Sequence, residues 1–182
     1  MTEFDSFATQ LLDESKALLD KARSSENFTQ TTYLHSSLLL AISALEACLN
    51  SIIDELLVDP YLDKYSIQEQ ALLLEKEVSF DRGEFSLSNK LKVTRMTDRI
   101  EFLFFKFANR KIDGSLNWYA NLKQSIELRN KLVHPKENLN IAINQVEQAI
   151  ISVIETINEI YLVVYHKKYP SYDRGLFAKN TL

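Results

Sequence analysis

The segment Ile126-Glu127-Leu128-Arg129-Asn130-Lys131-Leu132-Val133-His134-Pro135 gathers three side chains able to do chemistry. Arg129 is a permanent cation with forked donors. Asn130 offers an amide donor and acceptor, and His134 an imidazole whose unperturbed pKa lies near neutrality. On a helix Asn130 and His134, four apart, share a face. Arg129 and His134, five apart, diverge by about 140°, so all three group only if the helix end distorts. Pro135 favours that departure at His134. Arg129 also continues an apolar seam of Tyr119, Leu122, Ile126 and Val133. A guanidinium there needs an acid, a phosphate or an interface cavity to receive it. Glu46 breaks an apolar stripe in the same manner. Glu46 and Arg129 could form a buried ion pair that fixes helix register; alternatively, a cation, an amide and an imidazole meet at one helix terminus beside a core carboxylate.

The elements that must position these groups are helices, by hydrophobic spacing. The pattern predicts helices over about 3–23, 31–58, 65–78, 89–109, 115–133 and 139–166. Phe4, Phe7, Leu11, Leu18 and Ala22 form the apolar side of the first. The second carries two stripes, Leu34, Leu38, Ala41, Leu45, Cys48, Ile52 and Leu39, Ile42, Glu46, Leu49, Ile53, Leu56, so it sits centrally and stops before Pro60. Asp81 to Ser88, with Gly83, reads as a loop. Val93, Met96, Ile100, Leu103 and Phe107 line the fourth helix. The last keeps a four-three alternation through Leu139, Ile143, Val146, Ile150, Val153, Ile157, Ile160 and Val164, the spacing of helices packed nearly parallel to their neighbours. The expected fold is all-α, a mostly antiparallel bundle of five to six helices in one domain over 1–168. A loose tail is expected over 169–182.

Composition agrees. Over 182 residues the hydrophobic share is 46% and the charged share 25%, with Gly and Pro at three each. So few turn-formers argue against a β-sandwich and against glycine-rich phosphate loops. Cys48, within an apolar run, reads as a small core hydrophobe. That run, Leu38 to Leu49, is too short for a membrane span, and the N-terminus shows no basic-then-apolar leader, so the expectation is a cytoplasmic protein without a membrane partner. His35, His134 and His166 stand far apart with one cysteine, so neither a metal nor a cofactor is expected. His35 marks the start of the second helix and His166 complements a helix dipole.

The net charge of −4 hides a strong asymmetry: residues 1–89 hold 16 acidic and 6 basic side chains, residues 90–136 hold 4 and 11, and residues 137–182 hold 5 and 4. The basic window includes Lys123, Lys131 and Lys136 around the Arg-His segment, the footprint expected for a phosphate backbone. A basic surface matched to the acidic first half explains the same charges. Phe102, Phe104, Phe105, Trp118 and Tyr119 interleave the window and read as core or interface before base-stacking.

At these residues the chain resembles the HEPN domains, helical bundles named for higher eukaryotes and prokaryotes nucleotide-binding. Their hallmark is Arg, four to six residues, then His, often with Asn, Asp or His after the Arg, and Arg129-Asn130-Lys131-Leu132-Val133-His134 fits it. Many members carry an acidic residue in the helix corresponding to Ala44-Leu45-Glu46-Ala47, which Glu46 matches. The resemblance spans roughly Thr31 to Lys167.

The resemblance implies metal-independent RNA cleavage at a site shared by two protomers, and thus a homodimer. His134 would take the proton of a ribose 2′-hydroxyl, leaving a 2′,3′-cyclic phosphate. Arg129 would hold the scissile phosphate, Asn130 would orient either group, and Glu46 would position Arg129. Lys123, Lys131 and Lys136 would contact the nucleic acid. It further implies a toxin or defence effector, for which a separate antitoxin protein is the expected partner. Other members are non-catalytic dimerisation or nucleotide-binding modules, the alternative expectation.

Overall fold

The computed structural model describes residues 3–58 and 62–179. The side chain of Phe4 and all of Pro60 lie outside the described residues. The elements run α1 (Glu3–Arg23), α2 (Asn27–Leu56), α3 (Ile67–Leu73), β1 (Lys76–Asp81), β2 (Glu84–Leu91), α4 (Met96–Ala108), α5 (Asn117–Val133) and α6 (Ile143–Tyr165), with 3₁₀ turns at Leu62–Lys64 and Tyr172–Arg174. The chain is a mostly helical bundle, as the spacing predicts.

α2 and α6 pack on each other at the centre, and α1, α4 and α5 surround them. Every residue of the first α2 stripe is buried, as are Val146, Ile150, Val153, Ile157 and Ile160 of α6. By length and composition alone α2 and α6 could cross a bilayer, yet most of each apolar stretch is buried against other helices. Core packing accounts for their apolarity. The short link at residues 24–26 folds α1 back along α2. There Ser15 Oγ donates to Ser37 O and Ser37 Oγ donates to Ser15 O, both at 2.8 Å and buried. Small hydroxyls thus let the two backbones approach closely without stranding a polar group.

The structure corrects the segment between α2 and α4. The helix expected over 65–78 is only seven residues long, started by a Ser66–Glu69 capping box. The loop expected at 81–88 is a β-hairpin, with Phe80 opposite Phe85 and Val78 opposite Leu87. Arg82 and Gly83 both take positive φ, 50° and 93°, the two-residue turn whose twist matches paired strands. α4 consequently begins at Met96 instead of Asn89.

The loose tail expected from Tyr169 is also corrected. Tyr169 and Ala178 are buried, and Tyr169 stacks edge-on against Tyr161 with ring centroids 5.3 Å apart. Its amide donates to Asn158 Oδ1 at 3.2 Å. Arg174 binds Asp13 at 3.1 Å, and Lys16 Nζ donates to Phe177 O at 3.3 Å. The described part of the tail is a strap across α1 and α6.

Candidate nucleic-acid interface at the end of helix α5

α5 enters the core at one end and leaves it at the other. Tyr119 and Leu122 are buried, Ile126 and Arg129 half-buried, and Val133 exposed. Arg129 therefore emerges at the edge of the core, whereas the seam pattern expects it inside. His134 closes the helix with φ −123° and ψ 65°, the non-helical geometry that Pro135 imposes, while its N–H still donates to Asn130 O at 2.9 Å. Ile141, buried, pins the connection to α6.

Arg129 Nη1 donates to Asn130 Oδ1 at 3.0 Å. Asn130 and His134 then line one open concavity of about 500 Å³ with Glu127, Lys131, Lys136, Glu137 and Leu139. The amide thus joins the cation to the imidazole's cleft, although Arg129 and His134 lie on different sides of the helix axis. Lys131 pairs with Glu127 at 2.9 Å, and that carboxylate holds the Lys131 ammonium above its ordinary pKa. Lys136 forms no ion pair among the described residues. Two lysines face two glutamates here, so Arg129 gives the cluster its positive excess.

Glu46 is not the partner of Arg129. No ion pair joins them among the described residues; the charge that Glu46 stabilises is Arg99, a buried guanidinium on α4. Arg99 donates to Asn50 Oδ1 at 2.6 Å and to Glu75 Oε2 at 3.4 Å. Burial lowers its pKa, while Glu75, Glu46 and Asp54 oppose the shift. The buried guanidinium that balances this core acid is Arg99. Its signal was present, because Met96, Arg99 and Leu103 follow the same three-four spacing as the apolar seam.

Lys123 stands apart from this cluster. Its ammonium lies 4.6 Å from the Tyr119 ring centroid, about 16 Å along the helix axis from His134. The basic window is also partly spent inside the fold: Lys106 binds Glu69 at 2.9 Å and Arg99 is buried. Of the interleaved aromatics, Phe104 and Tyr119 are buried and Trp118 stacks on Phe104 at 5.7 Å, whereas Phe105 is exposed. Tyr119 Oη donates to Glu101, and burial followed by that bond raises the phenol's pKa far above its ordinary value. Phe104 and Tyr119 are core, and Phe105 is not.

His35 lies within α2 and His166 takes the left-handed position that ends α6. Cys48 is buried. Among the described residues no three His, Cys, Asp or Glu side chains stand together as a metal-binding group would. No family model, curated protein or solved structure matches the chain.

Proposed function

We propose that the chain is a HEPN-like endoribonuclease whose reacting groups are Arg129, Asn130 and His134. The observation that carries this reading is the Arg129–Asn130 hydrogen bond beside the cleft that Asn130 shares with His134. His134 Nδ1 or Nε2 takes the proton of a ribose 2′-hydroxyl, whose oxygen attacks the adjacent phosphorus. The bond from phosphorus to the 5′-oxygen breaks, and that oxygen receives a proton from water or from the second protomer's imidazole. The products are a 2′,3′-cyclic phosphate and a 5′-hydroxyl. Arg129 stabilises the charge growing on the phosphoryl oxygens, with Asn130 holding the guanidinium in place. Lys131 and Lys136 attract the backbone on either side. A homodimer joined near the exposed Val133 would bring two such clusters together, and a toxin or defence role with a separate antitoxin fits such an enzyme.

Glu46 favours a second reading. Its carboxylate serves Arg99, so Arg129 lacks the acidic anchor that a catalytic arrangement of this type would use. In that case the fold is a non-catalytic dimerisation or nucleotide-binding module. The deciding experiment is RNA cleavage by purified protein in EDTA, with end-group analysis and His134→Ala. Cyclic ends lost in the variant, with the fold intact, support the nuclease; equal cleavage by both proteins removes it.

A further inference from the structure

The hairpin between α3 and α4 is amphipathic, and its apolar face is bare. Successive side chains on a strand point to opposite faces. The pairs Val78–Leu87 and Phe80–Phe85 therefore share one face, and Ser79–Ser86 and Asp81–Glu84 share the other. The rings of Phe80 and Phe85 meet at 4.9 Å, yet the two residues remain 64% and 61% exposed. Val78 is 37% exposed, and Leu91 and Val93, at the base of the hairpin, are 78% and 92% exposed. With roughly 150–250 Å² on a full aromatic side chain, these five residues present on the order of 500 Å² of mostly apolar surface. A two-stranded hairpin standing alone in water is marginal and needs a packed face. Its main support within the chain is the short α3, which meets it near Val78.

Tip and base of the hairpin are complementary. At the tip Asp81 and Glu84 outnumber Arg82, so Phe80 and Phe85 stand beside an acidic excess. At the base, α3 and the hairpin enclose an open groove of about 480 Å³ lined by Ala71, Leu72 and Val78 together with Lys76 and Lys92. Lys76, Lys90 and Lys92 outnumber Glu77 there, and none of the three forms an ion pair among the described residues. A phenyl ring suits the apolar lining of this groove, and the tip carboxylates suit its ammoniums. A lipid surface is the poorer match, because the rings can enter it only with Asp81 and Glu84 beside them. A second copy supplies what each end lacks. Two hairpins stacked face to face and head to tail, about 10 Å apart, put the acidic tip of each over the lysine-bearing groove of the other. Both contacts form together, because a two-fold axis repeats every contact. The apolar area removed from the two copies is on the order of 1,000 Å², the size from which a specific interface starts.

From this we infer that the hairpin is a self-association surface, in which the Phe80–Phe85 tip of one copy docks in the groove between α3 and the hairpin of a second copy, and reciprocally. The surface is separate from the Arg129–His134 cluster. Arg99, at the foot of the hairpin, bonds Asn50 near the end of α2, whereas Lys131 lies beside the first turns of α6, which Arg23 ties to the link preceding α2. The interface is therefore additional to any pairing of protomers near Val133, and it is independent of the RNA-directed reading.

Sedimentation of the full chain over about 1–100 μM tests it, since interfaces of this size reach down to micromolar affinity. Phe80→Ser with Phe85→Ser, both exposed and outside the core, is expected to halve the mass of the wild-type species while circular dichroism stays unchanged. Two charge variants identify the partner. Asp81→Lys with Glu84→Lys sets a cationic tip against a cationic base, and Lys76→Glu with Lys92→Glu sets an acidic base against an acidic tip. Each alone is expected to show the halved mass. An equimolar mixture of the two is expected to regain the wild-type mass, because every tip then meets a base of opposite charge. Wild-type mass in the serine variant overturns the interface, as does a mixture that stays at the halved mass. A wild type already at the mass of the serine variant also overturns it, whether the hairpin then binds phosphatidylserine vesicles or a different protein. RNA cleavage enters none of these outcomes, so the failure of either reading leaves the other standing.

Discussion

The side chain of Arg129 is tied to that of its neighbour Asn130, with Nη1 donating to Oδ1 at 3.0 Å on an exposed stretch of α5. Adjacent residues on a helix point about 100° apart, so the bond bends the guanidinium around the helix toward the cleft of His134. The arrangement separates positioning from charge. Asn130→Ala keeps the cation but frees it, and is expected to lower single-turnover RNA cleavage about tenfold to a hundredfold with the unfolding midpoint unchanged. Arg129→Lys keeps the charge but loses the fork, and is expected to cost at least as much. Wild-type rates in both variants would remove Arg129 from the site.

The ammonium of Lys16 is buried beneath the C-terminal strap, within 3.6 Å of Asp13, whose other oxygen holds Arg174. Burial lowers the Lys16 pKa below its ordinary 10.5, partly offset by Asp13 and reinforced by Arg174. The folded state then binds this proton more weakly than the unfolded chain does. Stability contributed by this group therefore rises with pH between the lowered folded value and 10.5. Thermal melts from about pH 8 to 10 are expected to show that rise, flattened in Lys16→Met. The upper limit keeps the scan below the buried Tyr169 and Tyr119, whose raised values act in the opposite direction at higher pH. An identical slope in the variant would assign the effect to other groups.

Arg99 is the buried arginine among the described residues, reaching Asn50 from α4 and Glu75 at the foot of the hairpin. Removing it strands the Asn50 amide and leaves the half-buried carboxylates of Glu46 and Glu75 without their counter-charge. Arg99→Ala is expected to destabilise the protein by about 2–4 kcal/mol in urea titrations, a range discounted for the partial exposure of Glu75. Arg129→Ala, at the solvent edge, is expected to cost under about 1 kcal/mol. The opposite ranking would show that Arg129 is the structural arginine.

The contrast between these two arginines shows what the sequence made legible. Strong helical periodicity located α1, α2, α5 and α6 and the central stripes of α2 and α6, whereas α1 buries Ala8, Leu12, Leu19 and Ala22 and leaves the expected Phe7 exposed and Leu11 and Leu18 half-buried. Seam position also marked Arg129 as unusual. It could not reveal where a seam surfaces: α5 runs out of the core after Ile126, and only the path of the helix shows that. The hairpin was missed for a different reason. Val78-Ser79-Phe80 and Phe85-Ser86-Leu87 alternate with period two around Arg82-Gly83, yet the turn lacks the usual Asn or Asp before its glycine, and a glycine in a polar stretch reads equally well as a loop. The strap over 169–179 carries too few apolar residues for periodicity to register; its order comes from single contacts made far away in sequence.

Those contacts make the strap a sensitive probe of the fold. Tyr169 fills a site against Tyr161, and its hydroxyl lies 3.2 Å from Thr9 Oγ1. Tyr169→Phe keeps the ring and loses the hydroxyl contact, a cost of about 0.5–1.5 kcal/mol. Tyr169→Ala removes the ring from a buried position and is expected to cost about 3 kcal/mol, the penalty of an aromatic cavity. Because the strap also lies over Lys16, loosening it lets water reach the ammonium. The Tyr169→Ala variant should therefore show a weaker rise of stability with pH than the wild type, while Tyr169→Phe retains it. A Tyr169→Ala protein with wild-type midpoint and slope would mean that the strap leaves α1 in solution.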